Sequence, residues 1–139
     1  MIRRLALLSI MVISALVFSG TASPDEASGI VSRVVDGDTF EVAGFGLVSL
    51  ADVLSPVMGT FAGSYARDFT DIHLLNAQVF LDKDDTGAGR DDGSIPCLVY
   101  LSGSSGKPNL NKSFNRMIVE AGYAVINKDP KSEFDPDKW

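Results

Sequence analysis

The sequence is poor in cysteine and histidine, with one residue of each among 139. A single cysteine, Cys97, excludes an intramolecular disulfide. It lies in the apolar run Ile95–Leu101, so we expect a buried core residue rather than a reactive thiol. His73 has no serine, cysteine or second histidine in a recognisable catalytic arrangement, and we expect it to be a partly buried structural residue.

The chain also lacks a run of basic residues. Twelve Lys and Arg against 18 Asp and Glu give a formal charge of −6, which becomes −8 if Arg3 and Arg4 leave with a cleaved leader. A protein that binds nucleic acid needs a basic footprint to meet the phosphates. The acidic balance therefore disfavours nucleic acid as a partner, without excluding a local basic groove.

The one long apolar run, residues 5–18, covers 14 positions, whereas a membrane-spanning helix needs about 20. It follows a basic head with Arg3 and Arg4 and precedes small residues that end at Ala22. This order is typical of a secretory signal peptide. We predict a signal peptide over 1–22 and a secreted or cell-envelope protein that has no membrane contact after cleavage. An uncleaved anchor is the alternative.

The rest of the chain has the pattern of one small α+β domain. Apolar and β-branched periodicity predicts strands at 30–35, Thr39–Val42, 47–54, 77–81 and Ile95–Leu101. It predicts helices at 62–76, with a buried face of Tyr65, Phe69 and Ile72, and at 110–121, with a buried face of Leu110, Phe114, Met117, Ile118 and Ala121. We expect a linker at 23–29, a domain over 30–126 and a polar tail at 127–139.

Two motifs carry the functional signal. Residues 35–40 read Val-Asp-Gly-Asp-Thr-Phe, while Asn-Leu-Asn-Lys at 109–112 leads to Val-Glu-Ala-Gly-Tyr-Ala-Val at 119–125. In this order the motifs resemble the staphylococcal nuclease (thermonuclease-like) family over about 30–126. The resemblance implies a five-stranded β-barrel of the OB-fold type, with two or three helices. It also implies hydrolysis of phosphodiesters with one bound calcium.

The family's calcium is held by oxygen ligands, as this hard cation prefers. The resemblance implies Asp38 as one ligand, then an aspartate and a threonine carbonyl just before a proline. Aligned on Pro56, this chain has Leu54 at the second aspartate and Ser55 at the threonine. The Ser55 carbonyl would still serve, because the ligand is a backbone oxygen.

The residues that the family uses for catalysis are replaced as well. Val57 stands where the family has a glutamate that acts on the attacking water, and a valine cannot accept a proton. Ser49 and Ser94 stand where two arginines would clamp the phosphate. Loss of one such donor costs roughly 10²–10³ in rate. We therefore predict no catalytic residues and an inactive exported domain with a binding or structural role, for a ligand or protein partner that the sequence does not identify.

The alternative is a weak or divergent calcium-dependent phosphodiesterase that acts on DNA or RNA. It would use Asp38, Asp52 and the Ser55 carbonyl as metal ligands, since Asp52 lies two residues before Leu54 and would point to the same face of a strand. Arg90 is the one arginine near Ser94, and it lies in the acidic segment 82–93. We expect that segment to be an exposed loop and Arg90 to be solvated.

Overall fold

The computed structural model describes residues 27–86 and 89–139, so the predicted signal peptide lies outside the described residues. The strands are β1 (Ala27–Val34), β2 (Thr39–Val42), β3 (Gly46–Leu50), β4 (Val53–Leu54), β5 (Gln78–Lys83), β6 (Ile95–Leu101) and β7 (Val125–Ile126). The helices are α1 (Phe61–Leu74), α2 (Phe114–Glu120) and a 3₁₀ turn at Pro136–Lys138. Within the described ranges, no helix has the length and apolar character needed to cross a membrane.

Five of these strands close into a barrel in the order β1-β2-β3-β6-β5. All neighbouring strands are antiparallel except β3 and β6, which run parallel. The core is filled by apolar, mostly β-branched side chains, among them Val31, Phe40, Val42, Val48, Leu50, Val79, Leu81 and Val99, and Cys97 is buried with them as expected. The α+β class, the five-stranded barrel and the two helices are thus confirmed.

The third predicted strand is broken in two. Strand β3 ends at Leu50, and Asp52 has a φ of 55°, in the left-handed region that aspartate tolerates better than most residues. The chain then leaves the barrel as β4, which pairs with β7 in a separate two-stranded ribbon. Asp52 is buried whereas Leu54 is exposed, so the prediction that the two residues share one face of a strand is wrong.

The buried face of α1 also differs from the prediction. Tyr65 and Ile72 are 60% and 79% exposed, and the residues that face the barrel are Gly63, Ala66, Thr70 and Leu74. At Gly63 the backbone of the segment before α1 approaches closely, because a Cβ there would lie 2.1 Å from the Val57 carbonyl oxygen. Helical periodicity predicts that the large apolar residues are buried, but the residues on the buried face of α1 are mainly small.

Helix α2 begins at Phe114, four residues after Leu110. Phe114 and Ile118 are buried as predicted, but Leu110 and Ala121 are exposed, contrary to the prediction. Gly122 ends this region with a φ of 83°, the left-handed conformation expected after a helix. Asn115 was not predicted to be important. It is fully buried and its amide donates to the carbonyl oxygens of Ala51 and Cys97, at 3.0 Å each.

Both ends of the predicted domain extend further than expected. Strand β1 starts at Ala27, inside the segment assigned to the linker. The polar tail folds back onto the barrel, where Trp139 is 5% exposed and belongs to the core. The acidic segment is also less exposed than predicted, since β5 extends to Lys83 and Asp84 is buried. These contacts join the residues from Ala27 and the C-terminal tail to the same domain.

Candidate functional site

The turn between β1 and β2 is held firmly in place. The backbone amides of Val35 and Asp36 both donate to the Thr39 carbonyl oxygen, at 2.9 and 3.1 Å. Gly37 is needed for space, because a Cβ there would lie 2.7 Å from the Cβ atoms of both Ala66 and Ser55. The Thr70 hydroxyl of α1 donates to the Gly37 carbonyl oxygen at 2.7 Å. The turn is therefore clamped between helix α1 and the segment after β4.

Asp38 connects this turn to the segment after β4. It is 5% exposed. One carboxylate oxygen accepts a hydrogen bond from the Thr39 hydroxyl at 2.9 Å, and the other accepts one from the Ser55 amide at 3.0 Å. Asp38 and the Ser55 peptide group are thus adjacent, as the resemblance implies, but the carboxylate already stabilises the fold.

Asp36 is a half-buried carboxyl beside Asp38. Its Oδ1 accepts a hydrogen bond from the Asp38 amide at 3.0 Å. Burial, together with hydrogen bonding to the neighbouring Asp38 carboxyl group and its charge, raises the pKa of Asp36 to about 6. Asp36 therefore changes charge close to neutral pH, unlike an ordinary surface aspartate.

These residues line a cleft of about 420 Å³ that opens beside the turn. Its other walls come from the segment after β4 and from the segment before β6. The lining residues are Asp36, Asp38, Thr39, Leu54, Ser55, Pro56, Val57, Met58, Arg90 and Asp92. We call this the acidic cleft, because three carboxyl groups and one arginine line it.

Arg90 is held by the backbone rather than solvated, contrary to the prediction. Its Nη2 donates to the Leu50 carbonyl oxygen at 3.0 Å, and its amide donates to the Ser94 carbonyl oxygen at 2.9 Å. Next to it, hydrogen bonds from Ser94 lower the pKa of Asp92, so Asp92 is ionised at neutral pH. Arg90 thus forms a fixed wall of the cleft.

At the two positions where the resemblance implies phosphate-binding arginines, the side chains do not line this cleft. Ser49 and Ser94 are both fully buried, and neither lines the cleft. Within the described part of the chain, the Ser49 hydroxyl has no hydrogen-bond partner. Val57, at the position of the glutamate, is 77% exposed at the rim. None of these side chains can deprotonate a water or bind a phosphate by charge.

The side chain of Asp52 contacts residues of the C-terminal tail. Its buried carboxylate accepts hydrogen bonds from the Asp129 amide at 2.9 Å and the Ser132 hydroxyl at 2.7 Å. The Lys128 ammonium group lies 3.8 Å from it. Asp52 lines another cavity, of about 360 Å³, between the barrel and the tail, and Leu54 and Arg90 line both this cavity and the acidic cleft. The structure therefore does not bring Asp52 together with Asp38.

The acidic cleft does not fit the calcium site that the resemblance implies. Calcium takes about six to eight oxygen ligands, whereas both oxygens of Asp38 already accept hydrogen bonds and Arg90 lines the same cleft. Across residues 27–86 and 89–139, no group of three or more His, Cys, Asp or Glu is arranged to hold a metal ion. Asp38 and Ser55 remain together, but the other ligands are missing.

No protein-family model matches the chain, and no curated protein is significantly similar to it. The assignment of a function therefore depends on the residues of the site.

A second, apolar groove adjoins the acidic cleft. It has a volume of about 190 Å³ and is lined by Leu54, Ser55, Pro56, Gly122, Tyr123, Ala124 and Val125. Leu54 and Val125 are direct partners in the β4–β7 ribbon. We call it the apolar groove. It shares Leu54, Ser55 and Pro56 with the acidic cleft, so the two depressions are continuous.

Sequence reasoning missed three of these features. Asp36 was read only as part of the turn, although two aspartates at spacing two in a buried turn are a signal for a shifted pKa. Arg90 was assigned to solvent because its own segment is acidic. Tyr123 and Val125 belong to an apolar stretch of the sequence, but they are 38% and 60% exposed. The apolar groove depends on the pairing of β4 with β7, which no local pattern reveals.

Proposed function

We propose that this chain is an exported, staphylococcal-nuclease-like domain whose cleft binds a partner and no longer hydrolyses phosphodiesters. The strand order supports an OB-fold-type barrel. Strands β1, β2 and β3 form a meander that precedes α1, and β6, the last barrel strand in the sequence, lies between β3 and β5. The hairpin with Asp36 and Asp38 stands at the edge of the cleft where the family resemblance implies a site.

One observation carries the loss of catalysis. The side chains at the base and arginine positions are Val57 at the rim and Ser49 and Ser94 in the interior. A nuclease needs a group that orients or deprotonates water and cations that stabilise the transition state. Asp36 could accept a proton, but Arg90 is the one cation that lines the cleft, and it donates to the Leu50 carbonyl.

The acidic surroundings favour a binding role over nucleic acid hydrolysis. Asp36, Asp38 and Asp92 outnumber Arg90 around the cleft, and the whole chain has a formal charge of −6. Phosphates in a nucleic acid would be repelled by these carboxylates. The pairing of an acidic cleft with an apolar groove suits a protein partner better.

A cleavage assay tests the proposal directly. The protein is incubated at high concentration with single-stranded DNA and RNA, with calcium and with a chelator. We expect no cleavage above that of a buffer control. Chelator-sensitive cleavage that is lost in a folded Asp38→Asn variant, but retained in Asp68→Asn on the exposed surface of α1, would instead establish the divergent calcium-dependent phosphodiesterase.

A further inference from the structure

The acidic cleft and the apolar groove form one continuous surface with two chemistries. Leu54, Ser55 and Pro56 line both. On one side of this shared ridge are carboxyl groups, and on the other are exposed apolar side chains. A partner that covers the whole surface must therefore present a cationic group close to an apolar group.

The apolar side is exposed enough to favour burial. Leu54, Tyr123 and Val125 are 49%, 38% and 60% exposed. Removal of apolar surface from water stabilises a complex by roughly 25 cal/mol per Å². Gly122 adds no side chain to the groove, which leaves room for an apolar side chain of a partner.

The charged side favours a cation. Asp92 is ionised, as the lowered pKa indicates, and Asp36 and Asp38, which lie beside each other, line the same cleft. Arg90 offsets one negative charge but already donates to the Leu50 carbonyl. A cation in the cleft would be attracted by the three carboxyl groups. An anion would be repelled by them and attracted by one arginine alone.

We infer that this surface binds a polypeptide segment in which a lysine or arginine lies next to a large apolar residue. The inference rests on the proposed binding function and specifies its partner. The cationic group would lie in the acidic cleft between Asp36 and Asp92, and the apolar side chain would lie in the apolar groove against Leu54 and Tyr123. Charge complementarity argues for such a segment over a second acidic copy of this chain.

The experiment uses a capped hexapeptide, acetyl-Gly-Ala-Leu-Arg-Ala-Gly-amide, titrated into ¹⁵N-labelled protein at pH 7.5. We expect chemical-shift changes confined to the Asp36–Asp38 turn, residues 54–58, residues 90–92 and residues 122–125. Peptides with Glu in place of Arg, or Ser in place of Leu, should bind about tenfold more weakly, the effect of losing one charged or apolar contact.

Matched variants separate the two halves of the surface. Asp92→Asn and Leu54→Ser should each weaken binding about tenfold, whereas Asp68→Asn and Ile72→Ser, equivalent changes on the exposed face of α1, should leave it unchanged. Folding of each variant is checked by its NMR spectrum. Equal binding of the Arg and Glu peptides, or shifts outside the two depressions, would overturn the inference.

Two other occupants are tested with the same samples. Binding of a thymidine 15-mer in the acidic cleft, or a concentration-dependent dimer that Leu54→Ser abolishes in sedimentation, would overturn the inference in favour of nucleic acid or self-association. The nuclease assay stands apart from these measurements. Cleavage would refute the proposed function, while absence of both cleavage and peptide binding would refute only the partner assigned here.

Discussion

The buried carboxylate of Asp38 accepts a hydrogen bond from the Ser55 amide, 17 residues further along the chain, at 3.0 Å. In the family that the chain resembles, the corresponding groups would face a calcium ion together. Here, their direct contact joins the β1–β2 turn to the segment after β4. The motif with Asp38, which the resemblance assigns to a metal site, thus has a structural role that needs no metal.

Replacement of Asp38 by alanine should therefore destabilise the fold itself. The change leaves the Ser55 amide and the Thr39 hydroxyl without their acceptor, and loss of hydrogen bonds to a buried charged group costs about 2–3 kcal/mol. Urea unfolding at pH 7 without added metal measures this. Asp68→Ala, on the exposed surface of α1, is the control. Unchanged stability of Asp38→Ala would indicate that the carboxylate is kept for a ligand instead.

Asp36 should make the stability depend on pH. Its pKa is about 6 in the folded protein against 3.8 ordinarily, so the folded state holds the proton more tightly. The favourable contribution is complete below about pH 4 and is lost as pH rises to about 6. Asp36→Asn keeps the oxygen that accepts from the Asp38 amide but removes the titration.

At pH 7.5, the Asp36→Asn variant should be more stable than the parent by about 1 kcal/mol, allowing for solvent screening at a half-exposed group. At pH 3.5, the two proteins should be equally stable. Urea unfolding at both pH values checks this, and NMR titration of the Asp36 carboxyl measures its pKa directly. A difference of the same size at both pH values would contradict the assigned cause.

Asp52 should hold the tail against the barrel. Its carboxylate binds the Asp129 amide and the Ser132 hydroxyl, and the tail ends with Trp139, the single tryptophan. Asp52→Ala should cost about 2–3 kcal/mol and shift the Trp139 fluorescence to longer wavelength as the indole becomes exposed. Asp91→Asn, at an exposed position, should change neither property. A buried indole in a folded Asp52→Ala variant would show that apolar packing alone holds the tail.

The assignment of the missing calcium ligands can be tested by gain of function. Leu54 and Val57 are 49% and 77% exposed, so Leu54→Asp combined with Val57→Glu should fold. The added carboxylates supply oxygen ligands beside Asp38 and the Ser55 carbonyl. We expect calcium binding by calorimetry in this variant, and none in the parent or in Leu54→Asn/Val57→Gln. No gain of affinity would indicate that the alignment on Pro56 is wrong.

Several parts of the fold follow from local sequence alone. The β-branched runs predict the five barrel strands, and the position of Gly122 predicts a left-handed residue after α2. The burial of Cys97 also follows from its apolar run. In each case, the signal and the structure involve the same few neighbouring residues.

Less of the candidate site could be predicted from the local sequence. The sequence placed Asp38 next to the Ser55 peptide group only through a family resemblance, and it placed Asp52 there wrongly. A left-handed φ at Asp52 cannot be read from strand periodicity. The position of the Arg90 side chain depends on its hydrogen bond to the Leu50 carbonyl oxygen, 40 residues away in the sequence. No local sequence pattern reveals that contact.

The sequence by itself determined which segments become strands and helices, because side-chain type and spacing act locally on the backbone. It also determined that the side chains of Val57, Ser49 and Ser94 supply neither a carboxylate base nor a cation. Only the tertiary structure decided that small residues form most of the buried face of α1, and that Asp38 binds the Ser55 amide whereas Asp52 binds the tail. It also decided that an acidic cleft meets an apolar groove at Leu54. These outcomes depend on which distant surfaces approach each other, and that is set by packing of the whole core.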